Sequence, residues 1–254
     1  MKVTVLGCAG SFPNAASACS SYLVEHDGFA LLLDMGNGAL GALQRYAGLL
    51  APDAVFLSHL HADHVVDLVA YSYARRFHPD GPPPALTIHG PNGTSDRLHE
   101  IAGSEGRANR GAAAFDGVYD FAAPTTSGTT AIGPFEVTLA PAAHPVETYS
   151  IRLAAGDRTV VYSGDSGPTD QLVANALGAD LFLCEATWAD GGSHPPGLHM
   201  TAHEAGEHAQ RAMARRLWLV HTTPYTTPET QLEHARAAYD GEVAIPGAGT
   251  TYTV

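Results

Sequence analysis

Three histidines and one aspartate fall within six consecutive positions of this chain, and no other feature limits so strongly what it can fold into. The residues are His59, His61, Asp63 and His64. They come directly after the apolar run 54–57, which predicts a buried strand that ends at the cluster. Imidazole nitrogen and carboxylate oxygen bind zinc, manganese or iron(II). The sequence therefore predicts a metal site at the end of a strand, without choosing among these metals.

Three later residues stand in the same position, directly after an apolar strand or a few residues beyond it. They are His144, Asp165 and His221. The carboxyl ends of strands in an α/β sheet meet at one edge, where ligands bind. Any one of the three could be an ordinary strand-end residue. Because the four-residue cluster cannot complete the shells of two metal ions, we expect all three to join it.

Length and charge restrict the remaining possibilities. The chain has 254 residues, 45% of them hydrophobic, which is enough for one sizeable core. We therefore predict a single α/β domain over residues 1–254. The net charge is -13 and the only lysine is Lys2. An acidic chain is a poor partner for nucleic acid, because that affinity depends on Lys and Arg displacing counterions.

Cysteine usage and hydropathy bear on where the protein works. The three cysteines, Cys8, Cys19 and Cys184, are odd in number and irregularly spaced, unlike a disulfide framework. That pattern favours a reducing compartment. No apolar run approaches the about 20 residues of a membrane span. We therefore expect a cytoplasmic protein that has no membrane partner.

Periodicity gives a coarse order of strands and helices. Strands are predicted at 2–7, 21–26, 29–34, 54–57, 86–89, 129–132, 135–140, 149–154, 158–163, 179–184, 217–220 and 243–245. Helices are predicted at 36–50, 65–77, 94–102, 168–177, 201–215 and 228–239. The strands of 129–164 form a predicted β-meander. Thr201 and Glu204 have the spacing of a capping box. The stretch 103–117, rich in Gly, Ala and charge, is predicted to be a mobile surface loop or lid.

The seven candidate ligands, in this order and spacing, resemble the metallo-β-lactamase superfamily over nearly the whole chain. The resemblance rests on His-x-His-x-Asp-His at 59–64, then His144, Asp165 in Ser-Gly-Asp-Ser, and His221. It implies an αββα sandwich that holds two divalent metal ions, zinc first, with manganese or iron as alternatives. It also implies which residues hold them: His59, His61 and His144 the first ion, Asp63, His64 and His221 the second, and Asp165 both.

A second pair of motifs resembles the tRNase Z branch of that superfamily. These are Cys-Glu-Ala-Thr-Trp at 184–188 and His-Met-Thr-Ala-His-Glu-Ala at 199–205. The chain departs from that branch in two ways. Cys184 replaces a histidine to which the branch assigns protonation of the leaving group, and the long arm between His144 and Asp165 is missing. The departures and the acidic charge argue against tRNA as the substrate.

A subgroup related to tRNase Z fits these departures better. The chain resembles actinobacterial atypical class II cyclic-nucleotide phosphodiesterases in Leu-Gly-Cys-Ala-Gly-Ser at 6–11, Gly-Ala-Leu-Gln-Arg at 41–45 and Phe-Leu-Cys-Glu-Ala at 182–186. That implies hydrolysis of a small cyclic nucleotide, cAMP first, to the 5′-monophosphate. The tRNase Z branch also suggests a homodimer.

Roles follow for a few other residues. Asp63 is the candidate for relaying a proton besides binding metal, and His199 for stabilising the leaving oxygen. Glu185 is predicted to orient a ligand histidine, with Ser163 and Thr187 as weaker candidates for such support. Three residues, Arg75, Arg76 and His78, could meet a phosphate or base, or form a solvated helix end.

Three other functions remain as alternatives. A tRNase Z-like endoribonuclease would show a basic exposed groove. An acyl-ester or lactone hydrolase uses the same metal ligands but would lack the motifs at 184–188 and 199–205. A non-catalytic binding module would need a degraded ligand set, whereas all seven candidates are present.

Overall fold

The computed structural model of the protein describes residues 1–103 and 114–254. In this part of the chain two β-sheets pack face to face, and helices cover the outer face of each sheet. The order of layers is helix, sheet, sheet, helix, as the sequence predicted. A single domain over the whole chain stays a prediction.

The first sheet carries the four-residue cluster. Its strands are β1 (Lys2–Ala9), β2 (Ala18–Cys19), β3 (Ser21–His26), β4 (Phe29–Leu33), β5 (Ala54–Phe56), β6 (Leu86–His89), β7 (Tyr119–Ala122) and β15 (Thr251–Thr253). The order across the sheet is β15-β1-β3-β4-β5-β6-β7, with β2 beside β1. The strands β4 to β7 run parallel, so the carboxyl ends of β4 and β5 lie side by side.

The second sheet carries the three later candidates. Its strands are β8 (Thr129–Ile132), β9 (Phe135–Pro141), β10 (Tyr149–Ala155), β11 (Arg158–Tyr162), β12 (Leu181–Glu185), β13 (Arg216–Val220) and β14 (Glu242–Ala244). The order is β14-β13-β12-β11-β10-β9-β8. The strands β8 to β11 form the predicted antiparallel meander, and β11 to β14 run parallel.

The helices pack on the outer faces. They are α1 (Ala39–Tyr46), α2 (Ala62–Val65), α3 (Asp67–Arg76), α4 (Thr94–Ile101), α5 (Asp170–Asn175), α6 (Ala202–Arg211) and α7 (Pro228–Arg236). Alternate residues of a strand point to opposite faces. In β4, Leu31 and Leu33 face the other sheet, whereas Leu32 packs against the helix layer. Because both faces are buried, such strands appear in the sequence as continuous apolar runs.

Several predicted boundaries were wrong. The helices predicted at 36–50 and 168–177 are shorter, spanning Ala39–Tyr46 and Asp170–Asn175. The sequence analysis missed β2, β7 and β15, which have only two to four residues each and show no clear alternation. Helix α6 begins with the predicted capping box between Thr201 and Glu204.

The predicted lid at 103–117 falls largely on residues 104–113, which lie outside the described residues. Of its last positions, Phe115 is buried in the core beneath the first sheet. Among the described residues no helix is long and apolar enough to cross a membrane.

Candidate metal centre

The seven candidate ligands meet where the strands of both sheets end. His59, His61, Asp63 and His64 follow β5, and Asp165 and His221 follow β11 and β13. His144 lies in the connection between β9 and β10. The structure therefore brings all seven side chains together at one edge of the sandwich, in two clusters that share Asp165.

The first cluster consists of three imidazoles and one carboxylate oxygen. His61 Nδ1 lies 3.0 Å from His59 Nε2 and 3.2 Å from His144 Nε2. Asp165 Oδ2 lies 3.6 Å from His59 Nε2. Ligand atoms about 2.0–2.1 Å from a tetrahedral zinc ion lie about 3.3 Å apart. The spacing of these nitrogens fits such an ion.

The second cluster lies deeper. Asp165 Oδ1 is 3.2 Å from His64 Nε2 and 3.5 Å from His221 Nε2. Asp63 Oδ2 is 3.5 Å and 3.3 Å from the same two nitrogens. Since Asp165 turns one oxygen to each cluster, its position is that of a bridge between two ions.

Two buried polar atoms of the second cluster face each other. Among the described residues, His64 Nε2 and Asp165 Oδ1 are buried without a hydrogen-bond partner, although they face each other at 3.2 Å. In neutral His64, the form that binds a metal ion, Nδ1 donates to a carboxylate, which leaves Nε2 as an acceptor. Two buried acceptors facing each other are unfavourable unless a positive charge lies between them. The residues present therefore fit a bound metal ion.

The pKa directions express the same need for positive charge. Burial lowers the pKa of His59 well below its usual value, and the neighbouring His64 lowers it further. Burial alone would also lower the pKa of His64, but the carboxylates of Asp165 and Asp34 raise it well above its usual value. Burial would raise the pKa of Asp165, yet the surrounding histidines hold it well below its usual value.

Asp34 anchors the centre, and the sequence analysis missed it. Its Oδ2 accepts from His64 Nδ1 at 2.7 Å, from Ser58 Oγ at 2.8 Å and from the Tyr162 hydroxyl at 2.8 Å. Its Oδ1 accepts from the backbone N–H of Ser58 at 2.7 Å. A carboxylate on the second ring nitrogen fixes the tautomer and orientation of a ligand histidine. The missed signal was the position of Asp34 directly after β4, as Asp165 follows β11.

Glu185 contacts different partners from those predicted. The sequence analysis expected it to orient a metal-ligand histidine, but its Oε1 lies 2.9 Å from Nδ1 of His199, which is not a candidate ligand. Its Oε2 accepts from Thr187 Oγ1 at 2.8 Å, and Thr187 Oγ1 lies 2.7 Å from His221 Nδ1. Glu185 therefore reaches a ligand histidine only through Thr187.

His199 lies at the rim of the centre. Its ring stacks on that of His221, with centroids 5.3 Å apart, and its Nδ1 is 3.9 Å from Asp165 Oδ2. Burial would lower the pKa of His199, but the hydrogen bond and charge of Glu185 raise it above its usual value. The hydrogen bond with Glu185 thus fixes His199 beside the two clusters.

Cys184 is turned away from the centre. Along β12, Leu183 faces the other sheet, whereas Cys184 packs into the helix-covered core. Burial raises the pKa of this thiol well above its usual value. The side chain that replaces the tRNase Z histidine is therefore a core residue. Cys8 and Cys19 are also free and buried.

Four weaker candidates do not contact the clusters. Arg75 is buried and donates to the Pro84 carbonyl, and Arg76 donates to the Ala114 carbonyl. His78 Nδ1 accepts from the Asp80 N–H, and Ser163 Oγ donates to the Gly164 carbonyl. Ser163 Oγ also accepts from the backbone N–H of Glu185 at 3.0 Å, so it supports the residue that holds His199. Contact of the first three with a phosphate or base stays a prediction.

Close backbone approaches hold the loops of the centre in place. Gly36 packs on the turn that carries Asp63, where an added Cβ would meet the Asp63 carbonyl oxygen. Gly164 has φ +60°, a conformation that L side chains rarely adopt, and lies against Ser58. Both glycines are therefore required by the geometry of the site.

A family model described as Anti-Pycsar protein Apyc1 matches residues 1–239. A protein of Mycobacterium tuberculosis (strain ATCC 25618 / H37Rv), described as Uncharacterized protein Rv1339, is 39% identical over 258 aligned residues, which cover 100% of this chain and 92% of that protein. Probable metallo-hydrolase YhfI of Bacillus subtilis (strain 168) is 33% identical and covers 98% of each chain.

Solved structures confirm the predicted fold. The crystal structure of the metallo-β-lactamase fold protein YhfI from Bacillus subtilis matches with a TM-score of 0.87 and 30% identity, over 99% of each chain. The short form of human tRNase Z matches with a TM-score of 0.74 over 100% of this chain and 99% of that one. Its 21% identity supports the fold alone.

Proposed function

Since this chain belongs to the family described as Anti-Pycsar protein Apyc1, within the metallo-hydrolases of the metallo-β-lactamase superfamily, we propose that it is a phosphodiesterase acting on 3′,5′-cyclic nucleotides. It uses two divalent ions, zinc first, and converts cAMP to 5′-AMP. We also propose that it works in the cytoplasm, as a homodimer, without a nucleic-acid or membrane partner.

One observation carries this proposal: His199, hydrogen-bonded to Glu185 at 2.9 Å, stands beside two metal-type clusters that share a carboxylate. Two divalent ions bound there would activate water and offset the negative charge on the phosphoryl oxygens. Ester and lactone hydrolysis also releases an alkoxide, so what favours a phosphodiester over an acyl substrate is the match to the family model and the motifs at 184–188 and 199–205, which an acyl hydrolase would lack.

Individual residues of this chain then have distinct roles in the hydrolysis. Water adds to phosphorus, the bond from phosphorus to the 3′ oxygen breaks, and one proton of the water ends on that oxygen. Asp63 relays a proton from the water in addition to binding metal. His199, held by Glu185, stabilises the departing 3′ oxygen. Asp34 and Thr187 keep His64 and His221 oriented through their Nδ1 atoms.

The short connection between β10 and β11 favours a small substrate over tRNA. Only residues 156 and 157 separate the two strands, so the long arm of the tRNase Z branch is absent. An endoribonuclease remains the second candidate, because relatives described as Ribonuclease Z include one from Halorubrum lacusprofundi at 30% identity.

The test is turnover of 3′,5′-cAMP by metal-loaded protein, followed as 5′-AMP by chromatography, with a pre-tRNA carrying a 3′ trailer in parallel. We expect 5′-AMP and an intact pre-tRNA. The variant His199→Asn should lower kcat by about 10²- to 10⁴-fold, as expected for loss of a proton-donating group. His26→Gln, at the carboxyl end of β3 and paired with the first residue of β4, away from the centre, is the matched control and should retain wild-type kcat. Cleavage of the trailer without cAMP turnover would reverse the order of the two candidates.

A further inference from the structure

A cavity of about 370 Å³ opens beside the first cluster. Its walls are Leu60, His61, Pro91, Asn92, Arg97, Val146 and Glu147, and we name it the Val146 cavity. His61 belongs to both the cavity and the cluster, and Val146 lies two residues after His144. A substrate whose phosphate lies at the metal centre therefore has this cavity next to it.

The walls suit a flat, mainly apolar group. Val146, which is 38% exposed, lines the cavity with its apolar side chain. Leu60 is half-buried and Pro91 is buried, so apolar side chains come from three separate loops. Small-molecule sites combine such apolar walls with a few well-placed polar groups.

A larger cavity of about 640 Å³ adjoins His199, but the aromatic face that could stack on a base, that of Trp188, is already covered by a side chain of the protein. His194 stacks on Trp188 there, with ring centroids 4.9 Å apart and planes 3° from parallel. Glu204 is engaged in the cap of α6, and Asp190 pairs with His234. The Val146 cavity is therefore the better place for a planar ring.

Glu147 supplies a fixed acceptor in the Val146 cavity. Its Oε1 accepts from the Asn92 backbone N–H at 3.2 Å, from Asn92 Nδ2 at 3.2 Å and from the Tyr149 hydroxyl at 2.9 Å. Within the described part of the chain, the hydrogen bond to Oε2 is a long one, from Asn92 Nδ2 at 3.4 Å. The carboxylate is thus oriented in advance and has acceptor capacity left on Oε2.

We propose that the Val146 cavity holds the nucleobase and that Glu147 accepts a hydrogen bond from its exocyclic amino group. The inference rests on the proposed function and narrows its substrates to nucleotides whose bases carry an amino group, such as adenine and cytosine. Uracil places a carbonyl oxygen where cytosine has the amino group, and two acceptors would then face each other.

The test compares 3′,5′-cyclic CMP with 3′,5′-cyclic UMP, whose bases differ at position 4, amino against carbonyl, and in the protonation of the adjacent ring nitrogen. For the wild type we expect kcat/KM to be about tenfold higher with the cytosine nucleotide, the effect of one hydrogen bond to a charged group at an exposed site. Glu147→Gln should bring the ratio close to one, because the amide can turn either its N–H or its C=O toward the base. Glu136→Gln, an exposed carboxylate on β9 outside the cavity, is the matched control and should keep the wild-type ratio.

Binding of the products gives a readout independent of turnover. Isothermal titration calorimetry with 5′-CMP and 5′-UMP on the metal-loaded protein should show the same preference and the same loss in Glu147→Gln. If the wild type hydrolyses cyclic CMP and cyclic UMP with equal kcat/KM, and Glu147→Gln does the same, the base subsite is overturned. The proposed function would then remain intact. Absence of all cyclic-nucleotide turnover would count against the proposed function, while calorimetry still decides the base preference.

Discussion

The two clusters of the centre use the same kinds of ligand but are supported differently. In the second cluster, His64 and His221 are fully buried, and Asp34 contacts His64 directly. In the first cluster, His61 and His144 are half-buried, and His144 Nδ1 contacts only the Leu198 carbonyl. A carboxylate behind an imidazole fixes its orientation and makes it a stronger ligand.

The difference implies unequal affinities for the two proposed ions. The two histidines of the second cluster are fully buried, although 17% of the Asp63 side chain is exposed, and a negative charge lies directly behind His64. The first cluster receives carboxylate support only through Ser58, whose hydroxyl lies 3.1 Å from His59 Nδ1 and donates to Asp34. We therefore expect the ion of the second cluster to bind more tightly than the ion of the first.

Removing a ligand from each cluster should produce the largest effect. A graded chelator should release the two ions of the wild type in two steps. His221→Ala should weaken the tighter ion by more than about 100-fold, beyond the range for changes behind a ligand. His61→Ala should affect only the weaker ion. Metal content per chain, measured by mass spectrometry after dialysis, follows both steps.

Two outcomes would contradict the expected order of metal affinity between the two clusters. If the wild type loses both ions together, or if His61→Ala removes the ion that resists the chelator, the clusters do not differ as their burial suggests. The control His26→Gln should show the wild-type release curve.

The candidate ligands were visible in the sequence, and Thr187 was a candidate support, whereas the main support, Asp34, was not foreseen. Each ligand follows or lies near the end of an apolar strand, and imidazoles are rare enough for the pattern to stand out. Asp34 has the same position, but it is a single carboxylate. Its contacts with Ser58 and Tyr162 join residues 24 and 128 positions away. Such contacts depend on how two sheets pack, which local periodicity does not describe.

The cavity proposed to hold the base was hidden for the same reason. The Val146 cavity is formed by loops that meet only in the folded chain. The short strands β7 and β15 were also missed, because pairing with β6 and β1 stabilises them more than their own sequence does. Conversely, the capping box of α6 was predictable, since Thr201 and Glu204 are three residues apart.

A smaller effect should follow from weakening the support behind His64. Asp34→Asn keeps the shape of the side chain but removes the charge, so we expect the tighter ion to bind about 10- to 100-fold more weakly. Chelator competition measures this change. Asp53→Asn is the control, because Asp53 also links the β4 and β5 segments, through the Ala30 N–H, yet contacts no ligand histidine. Equal losses in the two variants would mean that the effect comes from general destabilisation.

The smallest expected effect concerns Tyr162, which reaches Asp34 from the opposite sheet. Tyr162→Phe removes one hydrogen bond of about 1 kcal/mol, so the affinity for the tighter ion should fall about fivefold. Tyr22→Phe is a close control, because Tyr22 is also fully buried, its ring lies 5.0 Å from that of Tyr162, and its hydroxyl is 3.4 Å from Ser20 Oγ. If both variants lower the metal affinity equally, packing and not the contact with Asp34 explains the loss. If only Tyr162→Phe does so, the second sheet helps to position a ligand carried by the first, and the asymmetry between the clusters extends across the interface of the sandwich.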